Sequence, residues 1–131
     1  MSRILFDTSA YSAFMRGLPE AVRAIQEADE IFLCPIVLGE LLAGFIIGSK
    51  EKENRQELDG LLGSPRVGLL DLDEETSERY AFIFAMLRKQ GTPIPTNDIW
   101  IAACAMRHGL KIVTSDTHFR QIPQVLTEIL A

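Results

Sequence analysis

Short apolar runs alternate with helix-patterned segments along the chain. Parallel strands cannot be joined by a tight turn and need a crossover, which is usually a helix. The alternation therefore favours a parallel sheet with helices on both faces, and we predict an α/β fold with a central, mostly parallel sheet. In chain order the runs are Arg3–Phe6, Glu30–Cys34, Val67–Leu70 and Lys111–Thr114.

Cap residues and helical spacing mark the segments between these runs. Asp7 or Thr8 lies near the cap of the first helix, and Thr96 is expected to cap the last long helix, which Gly109 closes. Ser115–Arg120 is expected to be a loop, and residues 121–131 carry no clear pattern for a closing strand. Further helices are predicted at Pro19–Ala28, at Pro35–Gly48, at Lys50–Leu62 and from Asp73 to Gly91.

Length and composition fit one domain with one core. The chain has 131 residues, 47% of them hydrophobic, and we assign residues 1–131 to a single domain. The longest apolar stretches reach only about ten residues, whereas a bilayer span needs about 20, and the N-terminal run is too short for a signal peptide. Cys34 and Cys104 lie in apolar runs, which suits reduced core thiols, so we expect a cytoplasmic protein.

Four acidic residues lie where sites form in open parallel sheets, beyond the carboxyl ends of the strands. Asp7 directly follows the first run, and Asp116 comes two residues after Thr114, which ends the fourth run. Asp98 lies in the first turn of the helix before the fourth run, and Glu40 lies in the second turn of the helix after the second run. A doubly wound strand order would place the first strand beside the fourth and bring these positions to one edge.

Each acid alone also has an ordinary explanation. Asp7 could cap a helix, Asp98 could interact with a helix dipole, and Asp116 could be a turn residue. Glu40 is the sharpest signal, because its helix is otherwise apolar and a buried carboxylate is costly unless it is paired or bound to a cation. The alternative for Glu40 is a partly exposed position on a single polar stripe. The joint pattern is stronger than any one member.

Convergence of the four acids would require a cation. Two unit charges about 4 Å apart repel by roughly 4 kcal/mol at an effective dielectric near 20, so the four carboxylates need a cation or raised pKa values. Oxygen ligands with no cysteine or histidine nearby favour Mg²⁺ or Mn²⁺ over Zn²⁺. Such ions suit phosphodiester hydrolysis, because they lower the pKa of a water and neutralise charge on the phosphate.

The net charge of −5 excludes wrapping of nucleic acid by a basic surface as the main function. It does not exclude a metal-dependent nuclease, because the charge falls to −1 once the four acids are cancelled by metal. Two other function classes remain open. One is an aspartyl-phosphate phosphatase with Asp7 as nucleophile, although position 9, where a second aspartate is usual, is Ser9. The other is a non-catalytic module that binds ligands in an acidic pocket.

Several segments, in order along almost the whole chain, resemble the motifs of PIN-domain proteins, specifically VapC-type toxins. The block beginning at Asn97 is the most specific of them, and Asp71–Thr76 followed by Arg79-Tyr80-Ala81 is also similar to that family. The segments are Phe6-Asp7-Thr8-Ser9, Gly39-Glu40-Leu41-Leu42-Ala43-Gly44, Asn97-Asp98-Ile99-Trp100-Ile101-Ala102-Ala103 and Thr114-Ser115-Asp116-Thr117-His118-Phe119.

The resemblance implies a three-layer α/β/α sandwich and an endoribonuclease that depends on Mg²⁺ or Mn²⁺. It further implies a homodimer, an RNA substrate and a VapB-like antitoxin that blocks the active site. The family's acidic metal site corresponds to Asp7, Glu40, Asp98 and Asp116, with Thr8, Asn97 and Thr114 in supporting positions.

Two aromatic residues near these motifs have ordinary interpretations. His118 could act as a base beside Asp116, but a loop histidine next to Phe119 explains it as well, since a bound metal can generate the nucleophile without it. Trp100 lies in an apolar run and is predicted to be a core residue rather than a platform for stacking bases.

Overall fold

A five-stranded sheet in which every neighbouring pair of strands is parallel forms the centre of the protein. The structure is a computed structural model that describes residues 2–130. The strand order is β3-β2-β1-β4-β5. The strands are β1 (Arg3–Phe6), β2 (Glu30–Leu33), β3 (Val67–Leu69), β4 (Lys111–Thr114) and β5 (Thr127–Ile129).

Helices connect the strands and cover the sheet, giving the predicted α/β/α architecture. Asp7 and Asp73 are the N-caps of the first and fifth helices, and their side chains accept backbone N–H groups of the first turn. Gly91 and Gly109 end the fifth and sixth helices with left-handed backbone angles, as their positions in the sequence predict. The helices are α1 (Thr8–Met15), α2 (Pro19–Glu27), α3 (Pro35–Ile47), α4 (Glu51–Leu62), α5 (Glu74–Gln90) and α6 (Thr96–His108).

The order of the strands reverses between β1 and β4. From β1 the chain moves outward through β2 to β3, and it later returns to the other side of β1 as β4 and then β5. At such a reversal a crevice forms outside the carboxyl ends of the two strands, here those of β1 and β4. Phe6 and Val113 pair in this register and are fully buried, which fixes the floor of the crevice.

Two local predictions were wrong, and the doubt about a closing strand is resolved. Residues 121–131, which carry no clear pattern for a closing strand, contain β5, because an edge strand of three residues can be held by backbone pairing to β4 without an apolar pattern of its own. Thr96 is not the N-cap of α6, since Pro95 takes that place and its carbonyl accepts the N–H of Asp98. The segment expected to be a loop contains a short 3-10 helix, Thr117–Gln121, because the Asp116 side chain caps it.

The other features of the core agree with the sequence. Cys34 and Cys104 are buried free thiols. Among residues 2–130, no helix is both long and apolar enough to cross a bilayer.

Candidate active site

Asp7 lies at the floor of the crevice, between the end of β1 and the start of α1. Only 4% of the residue is exposed. Its Oδ1 accepts hydrogen bonds from the Ala10 N–H at 2.8 Å and from the Ser9 hydroxyl at 2.7 Å. Its Oδ2 accepts a short hydrogen bond from the Thr114 hydroxyl, at the end of the adjacent β4. The carboxylate is therefore held in one orientation by two strands and a helix N-terminus.

The Thr114 hydroxyl also connects Asp7 to the loop that carries Asp116. It accepts the backbone N–H of Asp116 at 2.9 Å and lies 3.3 Å from the Ser9 hydroxyl oxygen. Ser9 Oγ in turn accepts the backbone N–H of Ser115 at 2.9 Å. Because Thr114 is fully buried, this small network sets the direction in which the chain leaves β4.

Glu40 faces the same region from α3 and is half-buried. The Thr8 hydroxyl donates to its Oε1 at 2.6 Å, and the Asn97 amide donates to its Oε2 at 3.2 Å. Thr8 is the neighbour of Asp7, and Asn97 is the neighbour of Asp98. Glu40 is therefore oriented by the neighbours of two other acids. Only Val37 and Leu41 of α3 are buried, so the structure shows the alternative for Glu40, a partly exposed position.

Asp98, Asp116 and His118 form a compact cluster at the mouth of the crevice. One ligand atom from each of the three lies within 4.8 Å of the others. His118 Nδ1 lies 3.1 Å from Asp98 Oδ2 and 3.0 Å from Asp116 Oδ1. The sequence argument for Mg²⁺ or Mn²⁺ assumed oxygen ligands with no histidine nearby, and the structure corrects that assumption; it places His118 beside Asp116, as the interpretation of His118 as a base requires. The 3-10 turn after β4, capped by the Asp116 side chain, is what brings the His118 ring back toward α6.

Burial and like charges make the ionised site unfavourable without a cation. Burial raises the pKa of Asp7, although hydrogen bonds from Thr114, Ala10 and Ser9 act in the opposite direction, and the charge of Asp116 adds to the rise. The pKa of Asp98 is raised as well, mainly by burial. The charges of Asp116 and Asp7 add to this rise, and the hydrogen bond from His118 partly offsets it. Asp7, Asp98 and Asp116 therefore interact electrostatically as one group.

This donor set fits a divalent metal ion. Three aspartates and a glutamate converge on one crevice, and their mutual repulsion would be relieved by a doubly positive ion. Asp98 and Asp116 lie close together, Asp7 is joined to Asp116 through the Thr114 hydroxyl, and Glu40 is held by Thr8 and Asn97, the neighbours of Asp7 and Asp98. The structure brings together all four acids selected from the sequence, together with Thr8, Asn97 and Thr114.

Sequence reasoning did not select Ser9, although it lies within the Asp7 motif. A serine two residues into a helix has many ordinary uses, so only the fold reveals its three contacts with Asp7, Thr114 and Ser115. Trp100 is only partly buried, and its ring stacks on Tyr80 with centroids 4.1 Å apart. It packs against α5 through Tyr80 but does not belong to the buried core that was predicted for it.

The chain is thus an α/β protein with an acidic, oxygen-rich crevice at the point where its parallel sheet reverses its strand order, a site whose ligands suit a divalent cation. The sequence matches the PIN domain over residues 4–125. It is 34% identical over 90 residues to Ribonuclease VapC4 of Mycobacterium tuberculosis, and the match covers 69% of each chain. The chain therefore belongs to the PIN-domain family, among its VapC-type ribonucleases.

Two further similarities extend over the whole length. The tRNA(fMet)-specific endonuclease VapC of Shigella flexneri is 28% identical over 131 residues, which cover 98% of both chains. The solved structure of DNA-bound VapBC from Salmonella typhimurium superposes with a TM-score of 0.86 and 26% identity, covering 100% of both chains. The fold of the protein is thus the fold seen in VapBC complexes.

Proposed function

We propose that this protein is a metal-dependent endoribonuclease that acts as the toxin of a VapBC-type toxin–antitoxin pair. The observation that carries the proposal is that three aspartates lie together at the sheet's switch point. Ligand oxygens of Asp98 and Asp116 lie within 4.8 Å of each other, and Asp7 is joined to Asp116 through the Thr114 hydroxyl. The names of the VapC ribonuclease relatives support the same reaction. We treat residues 1–131 as a single nuclease domain.

Asp7 and Asp98 would hold the main cation, and Glu40 and Asp116 would complete its surroundings directly or through water. Mg²⁺ and Mn²⁺ are the ions that a carboxylate set of this kind prefers. When bound, the ion supplies positive charge that offsets the carboxylates and the phosphate, and it lowers the pKa of the attacking water.

The surrounding residues keep the carboxylates in place. Thr114, Ser9 and the Ala10 N–H hold Asp7, so its orientation costs no reorganisation when the substrate arrives. Thr8 and Asn97 hold Glu40 at the edge of the crevice. Water attacks phosphorus, the bond from phosphorus to one ribose oxygen breaks, and that oxygen takes up a proton.

An RNA cleavage assay tests this assignment. Wild type, Asp7→Asn and Asp98→Asn are incubated with total RNA and with initiator tRNA, in Mg²⁺, in Mn²⁺ and in chelator. Asp59→Asn, which changes an exposed aspartate on α4, serves as the matched control. We expect cleavage by wild type and control only with a divalent ion, and a loss of about 100-fold or more in both site variants. Full activity in both site variants would refute the assignment.

We also propose a homodimer and a VapB-like antitoxin partner. The support is the similarity to VapBC structures together with exposed apolar side chains, since Ile47 is 86% exposed at the end of α3 and Phe82 is 54% exposed on α5. Sedimentation of the chain alone, and after co-expression with the product of the neighbouring gene, should show a dimer and a heteromeric complex. A monomer that the neighbouring gene product does not bind would contradict this proposal.

The two alternative functions make different predictions. A phosphatase with Asp7 as nucleophile would trap a phosphoryl group on that residue, but position 9, where such enzymes usually carry a second aspartate, is Ser9, whose hydroxyl donates to Asp7 Oδ1. A non-catalytic acidic pocket would bind no divalent ion and cleave no RNA. Two buried free thiols and an RNA substrate are both consistent with action in the cytoplasm.

A further inference from the structure

We propose that His118 is a nitrogen ligand of the metal ion in this site, and that it makes the site prefer Mn²⁺ over Mg²⁺. This inference rests on the proposed metal-dependent function but makes a separate claim, which concerns the identity of the ligands and of the ion. It changes the site from an all-oxygen set to a mixed set of carboxylates and one imidazole.

The position of the ring is the first argument. His118 Nδ1 faces two carboxylate oxygens from different elements, Asp98 Oδ2 on α6 at 3.1 Å and Asp116 Oδ1 after β4 at 3.0 Å. Around an octahedral ion with bonds of about 2.1 Å, adjacent ligand atoms lie about 3 Å apart. The spacing of Nδ1 from both oxygens is therefore the spacing of neighbouring ligands on one ion.

The second argument is that the local chain fixes the ring in this position. Asp116 caps the 3-10 helix, and its Oδ1 accepts the His118 backbone N–H at 2.8 Å. The next residue, Phe119, is only 1% exposed and anchors the turn in the core. The His118 side chain is half-exposed at the mouth of the crevice, so the ring can reach a bound ion without leaving the surface. Ligation through Nδ1 would leave the ring proton on Nε2.

Donor chemistry then decides which ion the site prefers. Mg²⁺ takes oxygen ligands almost exclusively and keeps several waters, whereas an imidazole nitrogen favours transition-metal ions. Replacing one oxygen position by Nδ1 therefore weakens Mg²⁺ relative to Mn²⁺. The carboxylates of Asp98 and Asp116 still supply the hard ligands that keep Mn²⁺ acceptable.

The experiment is pulsed electron paramagnetic resonance of Mn²⁺ bound to full-length protein from which any polyhistidine tag has been removed. Imidazole nitrogen on Mn²⁺ produces a ¹⁴N modulation of the electron spin echo, which carboxylates and water do not. His118→Asn removes the ring but keeps an oxygen donor. His108→Asn is the matched control, because it changes the chain's other histidine, at the opposite end of α6.

We expect the ¹⁴N modulation in wild type and in His108→Asn, and its loss in His118→Asn. Competition titrations should show the ratio of Mn²⁺ to Mg²⁺ affinity falling about tenfold in His118→Asn and unchanged in His108→Asn. Unaltered thermal unfolding in chelator establishes that both variants are folded.

Three results would overturn the inference: wild type that binds no Mn²⁺, wild type whose bound Mn²⁺ shows no nitrogen, or His118→Asn that keeps the modulation. A histidine that only hydrogen-bonds to the two aspartates would give the second of these results. Failure of the proposed function would give a different result. Wild-type protein that cleaves no RNA, but shows a ¹⁴N modulation that His118→Asn loses, would leave the histidine ligand standing. Active wild type without the nitrogen signal would refute the histidine ligand alone.

Discussion

Replacing Asp7 by asparagine should stabilise the metal-free protein at neutral pH while destroying its activity. Asparagine keeps the N-cap, because its Oδ1 can still accept the Ala10 N–H and the Ser9 hydroxyl. Its Nδ2 can donate to the Thr114 hydroxyl oxygen, which now lies opposite Asp7 Oδ2. The hydrogen bonds are therefore retained, and the main change is the loss of one buried negative charge.

The magnitude follows from the neighbouring charges. Ligand oxygens of Asp98 and Asp116 lie within 4.8 Å, where two unit charges repel by about 3.5 kcal/mol at an effective dielectric of 20. Asp7 lies outside this cluster, but the Thr114 hydroxyl joins it to Asp116, and only 4% of the residue is exposed. We expect removal of the Asp7 charge to raise the free energy of unfolding by about 1–2 kcal/mol, which is the usual range for a single stabilising substitution.

The sign of the pH dependence follows from the raised pKa. Burial raises the pKa of Asp7 above the ordinary aspartate value of about 3.9, which applies to the unfolded chain. Between those two pKa values the folded state binds more protons than the unfolded state, so this group's contribution to stability is lost as pH rises through the window. Asp7→Asn should therefore exceed wild type in stability at pH 7.5, and the difference should shrink as pH falls toward the unfolded-state pKa.

Urea unfolding in chelator at pH 7.5 and at pH 4.5, monitored by circular dichroism, measures both quantities. The exposed Asp59→Asn variant is the control for loss of one negative charge elsewhere, and we expect it to change stability by less than about 0.5 kcal/mol. An Asp7→Asn protein that is less stable than wild type at pH 7.5, or a difference that does not vary with pH, would refute the reasoning.

Three further predictions concern the hydrogen bonds and the ion. Thr114→Val should lower the free energy of unfolding, measured with urea, by about 1–3 kcal/mol, because Asp7 and the Asp116 N–H each lose a partner. It should also weaken Mn²⁺ binding, measured by calorimetry, by about 10–100-fold, and unchanged Mn²⁺ binding would contradict this role. Mn²⁺ at about 100 times its Kd should add about 2.7 kcal/mol of stability and raise Tm by about 10 °C in wild type, and a similar rise in Asp98→Asn would be contrary evidence. Asn97→Ala should reduce RNA cleavage by about tenfold, because Glu40 loses its amide donor, and should leave Tm unchanged, because Asn97 is exposed. Full cleavage activity would show that Asn97 does not position Glu40.

The sequence predicted those parts of the fold that depend on local chemistry. The apolar runs, the Asp73 cap and the two glycine C-caps follow from residue type alone, and the structure has each of them. The pairing of β1 with β4 followed from the doubly wound order, and it is this pairing that brings Asp7 close to Asp116. The strand β5 could not be predicted, because its three residues are held by hydrogen bonds to a neighbour rather than by a pattern of their own.

The candidate site was predictable to a different degree. Its acids stood out because carboxylates are unusual in apolar surroundings and at strand ends, and the similarity to the PIN motifs gave them an order. Ser9 did not stand out, because serine is common at helix starts, and His118 stood out only as a possible base that an ordinary loop histidine explained as well. Their positions depend on how the turn after β4 folds back onto α1 and α6, which is a tertiary property.

Anomalous diffraction from crystals soaked in Mn²⁺ tests the central claim most directly. The claim is that a divalent ion is held by side chains that are far apart in sequence and converge at the switch point of the sheet. A Mn²⁺ peak within bonding distance of carboxylate oxygens of both Asp7 and Asp98 is the predicted result. A well-ordered crevice with no peak, in crystals of protein that is active in Mn²⁺, would contradict it.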